Sequence, residues 1–183
     1  MTQTNDNAAN ADDRAVATAL VGVIVRGEQT LLTATATPTA EGARAALETF
    51  YHAFNTRSLD LLRRIWADDP LVQASSPVGG IVRGSAAIAA GYARMLSGPL
   101  RVQTVLEDIV AYETPDLVVF TGQERGAYTR DSEREAMSDL SEIRSICIFR
   151  FIAEQGGWRQ VYHSVSLDDA EQLARYQRAV RCA

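Results

Sequence analysis

LRVQTVLEDIVAYETPDLVVFTGQERGAYTR, residues 100–130, is the stretch that decides the fold. It reads as two long strands, Leu100–Tyr112 and Leu117–Tyr128, joined by a Glu113-Thr114-Pro115-Asp116 turn. Val, Ile, Phe and Tyr recur with a period of two, the repeat of a half-buried strand. Downstream the same period continues from about Met137 to Ala153, after a charged tip at Thr129–Glu135. Gln155-Gly156-Gly157 then turns the chain into a last strand, Trp158–Leu167. Asp168 or Asp169 caps a closing helix that runs through Val180.

Upstream of Leu100 the period is helical. Ala45, Leu47, Phe50, Tyr51 and Phe54 make one apolar face over Glu41–Thr56. Ser58 caps a second, short helix whose buried stripe is Leu59, Leu62, Ile65 and Trp66. Asp68-Asp69-Pro70 stops it, because proline disfavours helix in the residue before it. Leu71–Ser75 and Ile81–Arg83 are short strands around a Pro77-Val78-Gly79-Gly80 turn. Ser85 starts a third helix through Leu96, with Ile88, Tyr92 and Leu96 facing in. Helices first and a meander afterwards point to an α+β fold, with three helices packed on the concave face of a curved, mostly antiparallel sheet. Such a cone encloses a pocket, the usual place for a small ligand.

Composition narrows the function. The chain has 183 residues, 46% of them hydrophobic and 22% charged, enough for one packed domain with a tail. Its net charge of −5 argues against general nucleic-acid binding. All 18 basic residues are arginine, which removes Schiff-base and P-loop lysine chemistry. Cys147 and Cys182 form no disulfide framework. No metal and no cofactor are expected, and a cytoplasmic location is.

Residues 1–40 read as an N-terminal extension and linker, and 41–183 as the domain with its closing helix. Met1–Asp13 is polar and acidic, unlike the basic start of a signal peptide. The apolar run Ala15–Val25 is shorter than the roughly 20 residues of a membrane helix, so no membrane span is expected. It fits an amphipathic helix, a strand with Val21, Val23 and Val25 on one side, or a hydrophobic targeting core. Thr33–Thr39 reads as a linker.

Several motifs in this order resemble the nuclear transport factor 2-like superfamily, in its SnoaL-like and ketosteroid-isomerase-like branch. They are Tyr51-His52-Ala53-Phe54 through Ile65-Trp66-Ala67-Asp68-Asp69, then Pro77-Val78-Gly79-Gly80, then Arg83-Gly84-Ser85-Ala86-Ala87-Ile88, and finally Gly157-Trp158-Arg159-Gln160-Val161-Tyr162-His163-Ser164. The resemblance runs from about Ala43 to Asp169. It implies the cone fold and a homodimer through the outer face of the sheet, with Trp158 and Tyr162 among the outer residues. It does not imply one activity, because the fold hosts isomerases, dehydratases, cyclases, epoxide hydrolases and binding domains. The catalytic Asp of ketosteroid isomerases falls on Ser75-Ser76, the enolate-stabilising Tyr near Phe50, and the second Asp near Arg144. The aspartates that flank the arginine of limonene-epoxide-hydrolase-like members are absent around Arg125 and Arg159. Of the two histidines of the scytalone-dehydratase pattern, only His163 is well placed.

The residues themselves offer a catalytic group of His163, Arg144 and Glu142. His163 shares a strand face with Val161, Val165 and Leu167, and Arg144 and Glu142 share one with Leu140, Ile146 and Ile148. If both faces turn inward, His163 moves the proton, Arg144 holds the oxyanion, and the cation keeps His163 neutral. The opposite phase puts Ile143, Ser145 and Cys147 inside. Glu124 and Tyr128 face the pocket if Phe120 does; otherwise Val119, Thr121 and Gln123 do. Tyr51, Trp66 and Tyr92 are read as pocket lining, with Glu124 and Tyr128 as further substrate contacts. The function expected is binding of a small apolar organic molecule, with isomerisation, cyclisation or dehydration by proton transfer. The alternative is a non-catalytic ligand-binding or assembly domain.

Overall fold

A computed structural model describes residues 15–76, 80–130, 138–167 and 170–181. The Pro77–Gly79 part of the expected turn, most of the charged tip, Asp168, Asp169 and Cys182 lie outside the described residues. The elements in chain order are β1 (Val16–Ala19), α1 (Ala40–Asn55), α2 (Leu59–Ile65), β2 (Gln73–Ser76), β3 (Gly80–Arg83), α3 (Ser85–Ser97), β4 (Leu100–Glu113), β5 (Leu117–Arg130), β6 (Ser138–Ile152), β7 (Gly157–Ser166) and α4 (Ala170–Arg181). Among the described residues the seven strands form one sheet in the order β1-β4-β5-β6-β7-β2-β3. The pairs are antiparallel except β2 with β7, which is parallel. This is the expected α+β cone: a curved, unclosed sheet with α1, α2 and α3 on its inner side.

Local chemistry explains the helices. The Thr39 side chain accepts from the Gly42 N–H and starts α1, and the Ser58 side chain accepts from the Leu61 N–H and starts α2. Ala43, Ala46, Leu47, Phe50 and Tyr51 of α1 are buried against the sheet, together with Leu62 and Ile65 of α2. Phe120 of β5, Phe149 of β6 and Trp158 of β7 meet them from below. Phe120 and Phe149 pack edge to face at 6.0 Å.

Three irregularities curve the long strands. The register of β4 against β5 shifts between Glu107 and Val110, where Asp108 has φ of 51°. It shifts again in β5 against β6 between Glu124 and Gly126, and in β6 against β7 between Ile148 and Phe149. Each extra residue bends its strand and raises the local twist. Gly122 permits the first bend: a Cβ there would sit 2.7 Å from the Glu107 carbonyl oxygen.

The segment that precedes α1 is docked on the sheet. β1 pairs with the edge of β4, from Val16 opposite Glu113 to Ala19 opposite Val110. Val25 and Leu106 exchange both backbone hydrogen bonds at 2.9 Å. Leu20 and Val25 join the core. Of the readings of Ala15–Val25, the strand holds for Val16–Ala19, whereas Val21 and Val23 are exposed. Ala34–Ala36 forms a turn of 3-10 helix, with Thr35 buried. The Trp158 indole N–H donates to the Thr37 carbonyl at 2.9 Å. The backbone of Thr35 and Ala36 passes so close to Gly157, whose φ is 124°, that a Cβ there would collide with the Thr35 carbonyl.

Candidate functional site

Four elements converge inside the cone. α1 supplies Phe50 and Tyr51, which its three- and four-residue repeat turns toward the sheet. β5 supplies Glu124, in phase with buried Phe120. β6 supplies Ser145 and Cys147, and β7 supplies His163, the cross-strand partner of Cys147. The Tyr51 hydroxyl donates to Glu124 Oε1 at 2.7 Å. His163 Nε2 lies 3.3 Å from the same oxygen. Ser145 Oγ lies 3.4 Å from His163 Nε2. The Phe50 ring meets the His163 ring edge to face at 4.9 Å. The His163 and Glu124 side chains are 13% and 10% exposed, so this ion pair is nearly out of water.

Burial works against both charges, and the pairing overcomes it. For Glu124 the cost of burial is outweighed by hydrogen bonding to His163, its charge, and bonds from Ser145 and Tyr51, leaving the carboxyl below its ordinary value. For His163 burial lowers the pKa, but the Cys147 sulfur and the Glu124 carboxylate push it up to about 10. Burial and the Glu124 charge raise the Tyr51 phenol well above its ordinary range. At neutral pH the cluster therefore holds a carboxylate, an imidazolium and a phenol. It is not a serine relay. Ser145 and Glu124 both meet Nε2 of His163, whereas a relay needs nucleophile and acid on opposite ring nitrogens.

The expected partner of His163 is replaced. Arg144 is exposed on the outer side of β6, whose inner residues are Ile143, Ser145, Cys147 and Phe149. The expectation of a neutral His163 beside a fixed cation is corrected accordingly: its neighbour is an anion, and its pKa rises. Glu142 and Tyr128 lie in β6 and β5, with side chains outside the described ones. Trp66 and Tyr92 line a groove of about 380 Å³ between α2 and α3, with Leu62 and Ile88. A larger depression of about 470 Å³, around Arg26, Asn55, Gln103 and Arg125, lies away from the Tyr51–Glu124–His163 cluster. Trp158, expected on the outer face, is buried. The bulge at Val161, where Tyr162 pairs with Ile148 but Gln160 with Phe149, moves Trp158 and Gln160 to the side that also holds His163.

Ser145, Cys147 and Gln160 were not among the expected site residues. A signal for the first two was present. On β6 the even positions carry Glu142, Arg144 and Arg150, while Ile143 through Phe151 at odd positions carry no charge. The uncharged face is the cheaper one to bury. Among the described residues no group of three or more His, Cys, Asp or Glu is placed to hold a metal ion. No described helix is long and apolar enough to cross a membrane.

A family model for the SnoaL-like domain matches residues 47–161, a span that runs from α1 into β7 and includes Tyr51, Glu124 and Gln160. The chain belongs to the SnoaL-like domain family. No curated protein matches it. Among solved structures this SnoaL-like chain is similar to a candidate calcium/calmodulin-dependent protein kinase type II association domain from Thiobacillus denitrificans, with 30% identity, a TM-score of 0.56, and coverage of 69% of this chain and 94% of that one. A candidate dehydratase of the nuclear transport factor 2-like family from Streptomyces avermitilis shares 20% identity at a TM-score of 0.60, over 71% of this chain and 96% of that one. A ketosteroid isomerase-like protein from Erwinia carotovora atroseptica shares 15% at 0.55, over 68% and 92%. The latter two likenesses concern the fold of the SnoaL-like domain.

Proposed function

We propose that this SnoaL-like domain binds a small, largely apolar organic molecule in its cone and moves a proton on it, in an isomerisation, cyclisation or dehydration. The observation that carries this reading is the buried cluster of Glu124, His163 and Tyr51, in which a carboxylate and an imidazolium are held ionised side by side. Buried ionisable groups tuned in opposite directions are a mark of acid–base sites. In an isomerisation a C–H bond beside a carbonyl breaks and its proton passes to the Glu124 carboxylate. The electron pair moves onto the carbonyl oxygen, where the His163 N–H and the Tyr51 O–H, released from Glu124 as it takes the proton, supply hydrogen bonds. Glu124 returns the proton at another carbon. His163 is thus the acid of the pair, and Glu124 takes the role of base that the sequence suggested for His163.

The test is turnover of β,γ-unsaturated cyclic ketones, esters and lactams, followed by the absorbance of the conjugated product. Glu124→Gln keeps the size of the side chain and removes the base. It is expected to lower turnover by about 10²–10⁴-fold. If the wild-type protein binds members of this panel and Glu124→Gln leaves the rates unchanged, proton transfer is not its function.

A second reading, an assembly domain, is favoured by the similarity to an association domain and by Ile146, a large apolar residue 39% exposed on the outer face of β6. It carries the proposal of a homodimer through that face, with Tyr162 beside it. Sedimentation at micromolar concentration is expected to give about twice the 19.9 kDa chain mass. A particle of single-chain mass counts against this reading.

A further inference from the structure

Gln160 has no exposed surface, yet neither its amide nitrogen nor its amide oxygen has a hydrogen-bond partner. Its backbone is fully engaged: the carbonyl accepts from the Ala67 N–H at 2.9 Å, and a parallel bridge joins Gln160 to Trp66. Residues paired across a bridge turn their side chains to the same side of the sheet. Trp66 is 4% exposed, and its indole N–H also lacks a bond of ordinary geometry, although it faces the Tyr92 hydroxyl. Buried polar atoms are satisfied as a rule, and leaving a donor and an acceptor unmatched costs stability that a leucine of similar shape would not. The two unmatched atoms of the Gln160 amide, next to an indole N–H that only the Tyr92 hydroxyl faces, therefore mark the place of something else. Trp66 also lines the groove between α2 and α3, whose volume of about 380 Å³ is in the range of small-molecule sites and whose walls include Leu62 and Ile88.

We infer that the ligand of the cone is an uncharged molecule that carries a hydrogen-bond donor and acceptor side by side, as a lactam or carboxamide does, read by the Gln160 amide and the Trp66 indole N–H. The inference rests on the ligand-binding reading above and adds the chemical class. A primary amide offers one donor and one acceptor as a fork, and its complement is the reversed fork. Gln160 and Trp66 are neutral, and the Glu124 and His163 charges neutralise each other. An ionised ligand would lose its water here without gaining a counter-charge.

The probes are valerolactam, cyclohexanone and the pentanoate anion. The lactam has the paired donor and acceptor, the ketone lacks the donor, and the anion adds a charge. The readout is the indole N–H resonance in NMR. The chain has two tryptophans, and Trp158 serves as an internal reference because its N–H is held by the Thr37 carbonyl. Valerolactam is expected to shift the Trp66 resonance saturably and leave that of Trp158 in place. It should bind roughly tenfold or more tightly than cyclohexanone or pentanoate. Gln160→Leu is expected to melt no lower than the wild type and to bind valerolactam roughly tenfold or more weakly. Equal binding of all three probes, no binding of the lactam, or unchanged binding in Gln160→Leu overturns the inference and leaves the amide to water. The probe comparison in the wild-type protein decides the matter even if the variant fails to fold. Lactam binding with no Glu124-dependent turnover overturns the proposed chemistry alone. Turnover without lactam preference overturns the ligand class alone.

Discussion

Glu124→Ala is expected to destabilise the folded protein by about 3–5 kcal/mol near neutral pH, the cost of removing one partner from a buried ion pair. The variant leaves the His163 imidazolium in the cone without its anion and the Tyr51 hydroxyl without its acceptor. Its pH dependence separates this cause from simple loss of packing. His163 has a folded pKa of about 10 against an ordinary 6.5. Its contribution is complete below 6.5 and is lost as the pH rises through about 10. Glu124 lies below its ordinary 4.5, so its contribution is complete above 4.5 and is lost as the pH falls through the folded value. The pair therefore supports the fold most between 4.5 and 6.5. Urea unfolding of the wild-type protein should show stability declining from 6.5 toward 10, and the decline should flatten in Glu124→Ala. Equal slopes in the two proteins would leave Cys147, and not Glu124, as the group that holds the proton on His163.

Trp158→Ala is expected to cost a further class of stability, about 3–5 kcal/mol, as large-to-small changes at fully buried aromatic positions do. Trp158 is 1% exposed and packs edge to face with Phe151 at 5.7 Å. It also holds residues 15–39, because its indole N–H is bonded to the Thr37 carbonyl. The loss should therefore extend to β1. Amide exchange at Leu20 and Val25, whose N–H groups are bonded to Ile109 and Leu106 of β4, should accelerate more than exchange within β5 and β6. Trp158→Phe retains most of the apolar area and loses one hydrogen bond, for which about 1–2 kcal/mol is expected. If exchange at Leu20 and Val25 is unaffected in Trp158→Ala, the N-terminal segment is held by its strand pairing alone.

The candidate site was half legible. His163 and Tyr51 could be placed because their neighbours repeat at the period of their element: Phe50 and Phe54 beside Tyr51, Val165 beside His163. Their charged partner could not. Glu124 sits in a strand with apolar residues in both phases, and both phases agree with period two. Which charge lies inside is settled by a cost summed over whole faces: one carboxylate among Phe120, Gly122 and Cys147 is tolerable when His163 and Tyr51 meet it. That compensation comes from residues 39 and 73 positions away, and no local window contains it.

By itself the sequence determined the kind and order of the elements. The change from helical to two-residue period at Leu100 separates the three inner helices from the meander, and the cap at Ser58 sets where α2 begins. These are short-range effects of side chain on backbone, so they are written locally. Only the tertiary structure decided which face of each strand is inside and where residues 15–39 go. A single extra residue, as at Val161, reverses the phase of everything beyond it and brings Trp158, Gln160 and His163 to one side. The Thr33–Thr39 segment has no strong propensity of its own, and it is ordered by Trp158 and Gly157, which reach it from the far end of the chain. Bulge positions and long-range docking depend on the energy of the whole packed sheet, and that energy exists only once the distant parts have met.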